Sequence, residues 1–128
     1  MALRIVAVDD QPEQSLGRGV LIIGNLGQYG FRIDPVRRAD GADGVLDGVF
    51  LPATGGISAL AWGPRFLLTR TILNREVVGL RRFRCRRVRV RTGETAVWQA
   101  DGDPVGHASG VVQVGIQPAA LRLLLPPR

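Results

Sequence analysis

Two short segments carry carboxylates at spacings that could do chemistry. The first, Ala39-Asp40-Gly41-Ala42-Asp43-Gly44-Val45-Leu46-Asp47, offers Asp40, Asp43 and Asp47 in a stretch loosened by two glycines. With backbone carbonyls they could converge on a hard, oxygen-seeking cation such as magnesium or calcium. An EF-hand calcium loop is excluded, because its downstream bidentate glutamate is missing. The second segment, Gln99-Ala100-Asp101-Gly102-Asp103-Pro104, sets two carboxylates one glycine apart. That spacing could place a general base beside a metal-organising acid. Asp-Gly is also a very common turn dipeptide, so a solvated turn or a plain hairpin is the simpler account of either segment alone.

A third feature is cationic. Arg81, Arg82, Arg84, Arg86, Arg87, Arg89 and Arg91 fall within eleven residues. Such a run is the usual footprint of a phosphate-bearing partner, whether nucleic acid, nucleotide or anionic lipid. All 17 basic residues are arginine and none is lysine, however, so the same run is equally explained as a solvated strand face in an arginine-biased composition.

These residues must be positioned by short strands. Leu3 to Val8 is rich in β-branched residues and closes at Asp9-Asp10-Gln11-Pro12. Val20 to Ile23 is a continuous apolar run ending at Gly24-Asn25, as expected of a strand buried on both faces. Tyr29 to Ile33 and Val45 to Leu51 are further strand candidates. Ile57, Leu60, Ala61, Pro64, Leu67, Leu68, Thr71 and Ile72 follow a 3.6 period, predicting a helical insert around residues 56–73 that is kinked or restarted at Pro64. Packing of that insert onto a sheet is the commoner fate.

From Phe83 to Arg91 the apolar residues alternate with arginine, but they change parity between Arg86 and Arg87. Strand side chains alternate strictly, so either a bulge lies there or the strand crosses between two environments; the bulge is the expectation. Thr92-Gly93-Glu94 reads as a hairpin loop into a strand over Thr95 to Ala100. Alternation over Val112 to Ile116 and over Leu121 to Leu125 predicts two closing strands. The sum is a mainly β chain, an antiparallel β-sandwich with one helical insert, in a single domain over residues 1–128.

Composition agrees and narrows the classes. A chain of 128 residues with 45% apolar residues and a mean hydropathy of +0.11 buries a modest core and is not disordered. One cysteine and one histidine exclude a disulfide framework and an ordinary zinc site. Uncharged stretches are broken by Gly and Pro, and the first ten residues lack the order of a signal peptide, so a soluble, cytoplasmic chain is expected. Cys85 reads as a small core residue, His107 as a surface histidine, and Trp62 and Trp98 as core or interface anchors.

Order along the chain adds what no segment carries alone. Gly24-Asn25 is followed by Gln28-Tyr29-Gly30-Phe31, then Asp43-Gly44-Val45-Leu46-Asp47, then Asp101-Gly102-Asp103, then Pro118-Ala119-Ala120-Leu121 to Pro126. This succession resembles the C-terminal domain of the diacylglycerol kinase and sphingosine kinase superfamily, especially the bacterial lipid kinases. The family signatures are Asn-Gly-x-x-Tyr-Gly-Gly-Gly, Asp-Asp-Gly-Leu-Leu-Asp, Asp-Gly-Glu and Pro-x-Ala-Leu-x-Val-Leu-x-Pro. The resemblance covers about Leu3 to Pro126. Ala42 stands for the first Asp of the acidic pair, Phe31 follows Gly30 where the family continues in glycine, and Asp103 stands for the glutamate.

The resemblance implies transfer of the ATP γ-phosphoryl group to a lipid hydroxyl such as that of diacylglycerol. It implies Asp103, flanked by Asp101, as the general base on that hydroxyl. It also implies magnesium held by Asp43, Asp40 and the carbonyl of Val45, with both aspartate-bearing bends facing one cleft. Arg82, Arg84, Arg86, Arg87 and Arg89 are then candidates for lipid-headgroup or nucleotide contact. The family's Gly-Gly-Asp-Gly-Thr nucleotide motif is not present in these 128 residues, so a nucleotide-binding domain is the expected partner and the chain alone is expected to be inactive. A homodimer, and peripheral attachment at a membrane surface, are further expectations. The competing reading is a non-enzymatic basic module binding nucleic acid or anionic lipid through the Arg81 to Arg91 strand; sparse aromatics count against nucleic acid.

Overall fold

The computed structural model describes residues 3–8, 12–26, 36, 39–53, 61, 64 and 80–122. They form seven strands, β1 (Leu3–Val8), β2 (Gln14–Gly17), β3 (Gly19–Gly24), β4 (Leu46–Pro52), β5 (Arg81–Cys85), β6 (Arg87–Ala100) and β7 (Asp103–Gly115). One sheet has the order β2-β1-β6-β7 and the other β3-β4-β5, with every pairing antiparallel. The mainly β, antiparallel architecture expected from the sequence is therefore present. The expected helical insert falls, apart from Ala61 and Pro64, outside the described residues, as does the candidate strand Tyr29 to Ile33.

Strand β4 is the anchor. Its residues Leu46 to Leu51 are all buried, and the strand ends at Pro52, where the missing N–H costs nothing in the ladder. One face of it, Leu46 and Phe50 with Cys85 of β5, meets Val88 and Val90 of the other sheet, and Trp98, Val114 and Ile116 pack around them. The opposite face, Val49 and Leu51, packs on Val36, Ile22, Ala39 and Leu80. Burial of a large apolar side chain such as Phe50 contributes about 1.5–3 kcal/mol, so this two-sided strand carries much of the core. Gly48 lies directly opposite Phe83, whose ring occupies the space a Cβ would need. The ring thus covers β4 at the one position without a side chain.

The parity change at Arg86 is a change of sheet and not a bulge. Phe83 and Cys85 face inward from the three-stranded sheet, whereas Val88, Val90 and Thr92 face inward from the four-stranded one. Arg86 is the single residue between β5 and β6, and its carbonyl accepts from the Ile116 N–H at 3.1 Å. A strand that serves two sheets must present opposite parities to a core lying between them, which is why the pattern shifts by one residue.

Three further expectations are corrected. Thr92-Gly93-Glu94 is no hairpin loop: β6 runs through it to Ala100, with a register shift between Thr92 and Ala96 that absorbs extra residues. Strand β3 is half-buried and not buried on both faces, because it lies at the edge of its sheet with Val20 43% exposed. Leu121 and Arg122 lie past a turn at Pro118 and Ala119, outside any strand, and Leu121 is exposed; residues 123–125 of the expected closing strand lie outside the described residues.

Candidate functional site

The first acidic segment is a braced turn at the entry to β4. The Ala42 N–H donates to Asp40 Oδ1 at 2.9 Å, and the Val45 N–H donates to Asp43 Oδ1 at 2.9 Å. The Asp43 N–H closes the turn on the Asp40 carbonyl at 3.2 Å. Gly44, at φ 68°, takes a conformation that side chains disfavour, and a Cβ there would sit 3.2 Å from Pro118 Cγ. The acidic turn and the closing Pro118 segment, far apart in sequence, are thus in contact.

Arg84 completes this cluster. It lies opposite Asp47 in the β4–β5 ladder; its Nε donates to Asp47 Oδ1 at 3.1 Å and its Nη2 donates to Asp43 Oδ2. Charge-assisted pairs of this kind are stronger than neutral hydrogen bonds. Asp47 is buried, and its Oδ2 has no hydrogen-bond partner. Sequence reasoning assigned Arg84 to headgroup contact and offered Asp47 as a possible cation ligand; the structure instead pairs it with Arg84. Thirty-seven residues separate the two, and only the ladder register reveals that they are paired.

The second acidic segment is built differently. Ala100 pairs with Asp103, leaving Asp101 and Gly102 as a two-residue hairpin loop. Their φ values, 52° and 94°, are those of a type I′ turn, whose twist matches the strands it joins and which favours Asp-Gly. Asp103 is therefore the first residue of β7. Both aspartates are exposed, at the free end of the β6–β7 ribbon.

The expected single cleft is not formed, because the two bends occupy opposite ends of that ribbon. The turn at 40–45 touches Pro118 and Arg84, beside the base where Arg87 pairs with Gly115, whereas Asp101 and Asp103 close the tip. The other arginines are spread over both sheets. Arg82 and Arg86 are exposed on and just after β5, and Arg87, Arg89 and Arg91 line the solvent face of β6. Arg81 reaches across to the Ser15 carbonyl at 3.5 Å. What sequence reasoning missed lies on the same solvent face: Val97, Val105 and Val111 are 72%, 68% and 48% exposed. Their outward parity was legible once β6 and β7 were aligned, but the assumed loop at Thr92 to Glu94 obscured it.

The donor set of the 40–45 turn suits a hard cation. All of its groups are oxygens, Asp40 keeps one carboxylate oxygen without a hydrogen bond, and the turn is open enough for water to complete a shell. Among the described residues, no group of three His, Cys, Asp or Glu side chains is placed to hold a metal, so any cation would rest on one or two carboxylates, a carbonyl and water.

Comparison with known proteins agrees with this architecture. The family described as the YegS C-terminal NAD kinase beta sandwich-like domain matches residues 1–125. Two solved structures from Bacillus anthracis str. Sterne, each provisionally described as a diacylglycerol kinase, share the fold. The first has a TM-score of 0.65 at 18% identity, covering 91% of this chain and 36% of that one. The second has a TM-score of 0.61 at 17% identity, covering 94% of this chain and 42% of that one. The chain thus spans well under half the length of those structures, and no curated protein matches it. With the sheet order, the braced acidic turn and the Asp-Gly hairpin in place, the match over residues 1–125 shows that the chain belongs to the YegS C-terminal, NAD kinase-like β-sandwich family.

Proposed function

We propose that this domain is the substrate side of a diacylglycerol kinase-like lipid kinase, with Asp103 as the general base. The observation that supports the reading best is the type I′ turn, which holds Asp103 exposed at the ribbon tip, where a second domain and a lipid could both approach. In the reaction, the Asp103 carboxylate takes the proton of the lipid hydroxyl. The hydroxyl oxygen forms a bond to the γ-phosphorus of ATP, the bond from that phosphorus to the bridging oxygen breaks, and ADP leaves with the electron pair. Such transfer is mostly positioning and charge neutralisation, so one well-placed carboxylate is a sufficient contribution from this side. Asp101 acts by giving the turn its shape.

Asp103 is one methylene shorter than the family's glutamate, and a displacement of ~1 Å can cost ~100-fold in rate. The lipid must therefore come closer to the tip than a glutamate would require. The resemblance puts magnesium on Asp40, Asp43 and the Val45 carbonyl. With both Asp43 oxygens engaged by the Val45 N–H and Arg84, Asp40 and that carbonyl are the groups that would hold it, and the ion would supply charge neutralisation at the turn. Given its place, this brace steadies the base of the ribbon and leaves the proton transfer to the tip.

ATP would be bound mainly by a nucleotide-binding domain supplied in cis or in trans, and a homodimer is part of the same reading. The test is transfer of labelled phosphate from ATP to diacylglycerol in detergent micelles. The chain alone should give none, and the chain joined to a nucleotide-binding half should give activity that Asp103→Asn removes. Activity of the isolated chain, or an Asp103→Asn variant as active as the parent, would overturn the reading.

A further inference from the structure

The outer face of the β6–β7 ribbon has a chemistry that the phosphoryl transfer does not use. Inward residues Val88, Val90, Thr92, Ala96 and Trp98 face the core. The register shift between Thr92 and Ala96 preserves that parity, since four steps on β6 match two on β7. One continuous solvent face therefore runs from the base to the Val97–His107 pair. Beyond it a second shift, between Trp98 and Gln99, sets one step on β6 against two on β7 and leaves exposed Val105 as the extra residue of a bulge. Toward the base it presents Arg89 opposite Gln113 and Arg91 opposite Val111; toward the tip it presents Val97 opposite His107, with Val105 diagonal to Val97.

The face is divided into a cationic half and an apolar half. Valine is normally inward in a strand whose other face is wet, so exposed Val97 and Val105 toward the tip, with Val111 beside Arg91 at the border of the cationic half, depart from alternation. The cations beside them are positioned for an external partner. Arg84 is engaged by Asp43 and Asp47 and Arg81 reaches Ser15, whereas Arg89 and Arg91 stand on the outer face, in a chain of net charge +6.

We infer that this face docks on an anionic bilayer surface, with Arg89 and Arg91 at the lipid phosphates and Val97, Val105 and Val111 at the boundary of headgroups and acyl chains. The occupant follows from charge complementarity beside an apolar strip, a pairing that an interfacial bilayer offers along its whole surface. Asp101 and Asp103 at the tip resist entry into hydrocarbon, so the ribbon lies along the surface and does not pierce it. That posture keeps the tip at the depth where a glycerolipid exposes its hydroxyl. The inference rests on the lipid-kinase reading for its purpose, but the binding itself does not require catalysis. Two weak contributions, a short row of cations and shallow apolar contact, make the attachment reversible.

The experiment is co-sedimentation of the chain with vesicles of phosphatidylcholine containing phosphatidylglycerol, against vesicles of phosphatidylcholine alone. The wild type should prefer the anionic vesicles and lose that preference as salt is raised. Arg89→Gln and Arg91→Gln should each lower the partition coefficient about fivefold, and V97S with V105S should lower it severalfold, with folding checked by circular dichroism. R18Q, an exposed control between β2 and β3, should change little. Equal binding to both vesicle types would overturn the inference, as would a ribbon variant that binds like the wild type. Loss of self-association, with vesicle binding intact, in V97S/V105S would reassign the face to a second copy of the chain. The two readings fail separately: absent phosphoryl transfer with ribbon-dependent vesicle binding sinks the kinase, and micelle activity with ribbon-independent binding sinks the docking face.

Discussion

The two Asp-Gly bends are close in sequence character and opposite in construction. At 40–45 the carboxylates are spent on holding shape: each of Asp40 and Asp43 caps a backbone N–H two residues on, and Arg84 ties Asp43 to the buried Asp47. At 101–103 the backbone alone sets the shape, through φ values of 52° and 94°, and both carboxylates stand in solvent. A turn that satisfies itself with side chains has little left for a substrate, while one that closes by backbone geometry leaves its carboxylates available. This difference fits bracing at the first bend and, under the proposed lipid-kinase reading, proton transfer at the second.

Five substitutions would sharpen or break that division, and the expected effects fall in the following order. Asp103→Asn in the complete kinase should lower kcat by about a hundredfold to ten-thousandfold, the usual worth of a general base. Steady-state phosphate transfer at saturating ATP reads this directly, and the urea midpoint should hardly move because Asp103 is exposed. Arg84→Ala should destabilise the fold by about 2 kcal/mol, since it strands the Asp47 carboxylate, whose Oδ2 already lacks a partner. A denaturant titration would show the shift, and Asp47→Asn in the same background should recover part of it.

Gly48→Ala should cost about 1–3 kcal/mol by driving a methyl group into the Phe83 ring. Pairing it with Phe83→Leu should relieve the clash, which a double-mutant cycle on thermal midpoints would reveal. The smallest effect is expected at the hairpin. Gly102→Ala, at positive φ, should cost about 1 kcal/mol, while Asp101→Asn should be nearly neutral because Asn-Gly suits the same turn. If Asp101→Asn instead removed activity without loss of stability, the carboxylate of Asp101 would belong to the chemistry and not only to the turn.

Much of the fold was legible because apolar alternation survives in this chain wherever one face meets the core. The inward residues Val88, Val90, Val112 and Val114 follow that rule, whereas Leu46–Leu51 reads as a strand by its apolar run and is buried on both faces. The sheet change at Arg86 left a clear trace as a parity flip, but a flip has two structural causes, and sequence cannot separate a bulge from a crossing. The Thr92-Gly93-Glu94 stretch looked like a loop because Gly and Glu are poor strand formers; Thr92 and Ala96 on either side both pair with β7, and the register shift between them absorbs the extra residues. The acidic turns were visible as motifs, and Asp101-Gly102 announced its own hairpin. The Arg84–Asp47 pair was not legible, since it depends on the register of two strands whose connection is long. The outward valines were hidden for a related reason, because their face is defined only once β6 is known to be continuous.

The central claim is that the ribbon tip does chemistry while the 40–45 turn does structure. The most direct test compares Asp103→Asn with Asp43→Asn in the complete kinase, measuring phosphate transfer to diacylglycerol and the urea midpoint for each. Asp103→Asn should lose transfer and keep its midpoint; Asp43→Asn should lower the midpoint and, at low denaturant, keep transfer within severalfold. The opposite pattern, with Asp43→Asn inactive though fully folded and Asp103→Asn still active, would contradict the account.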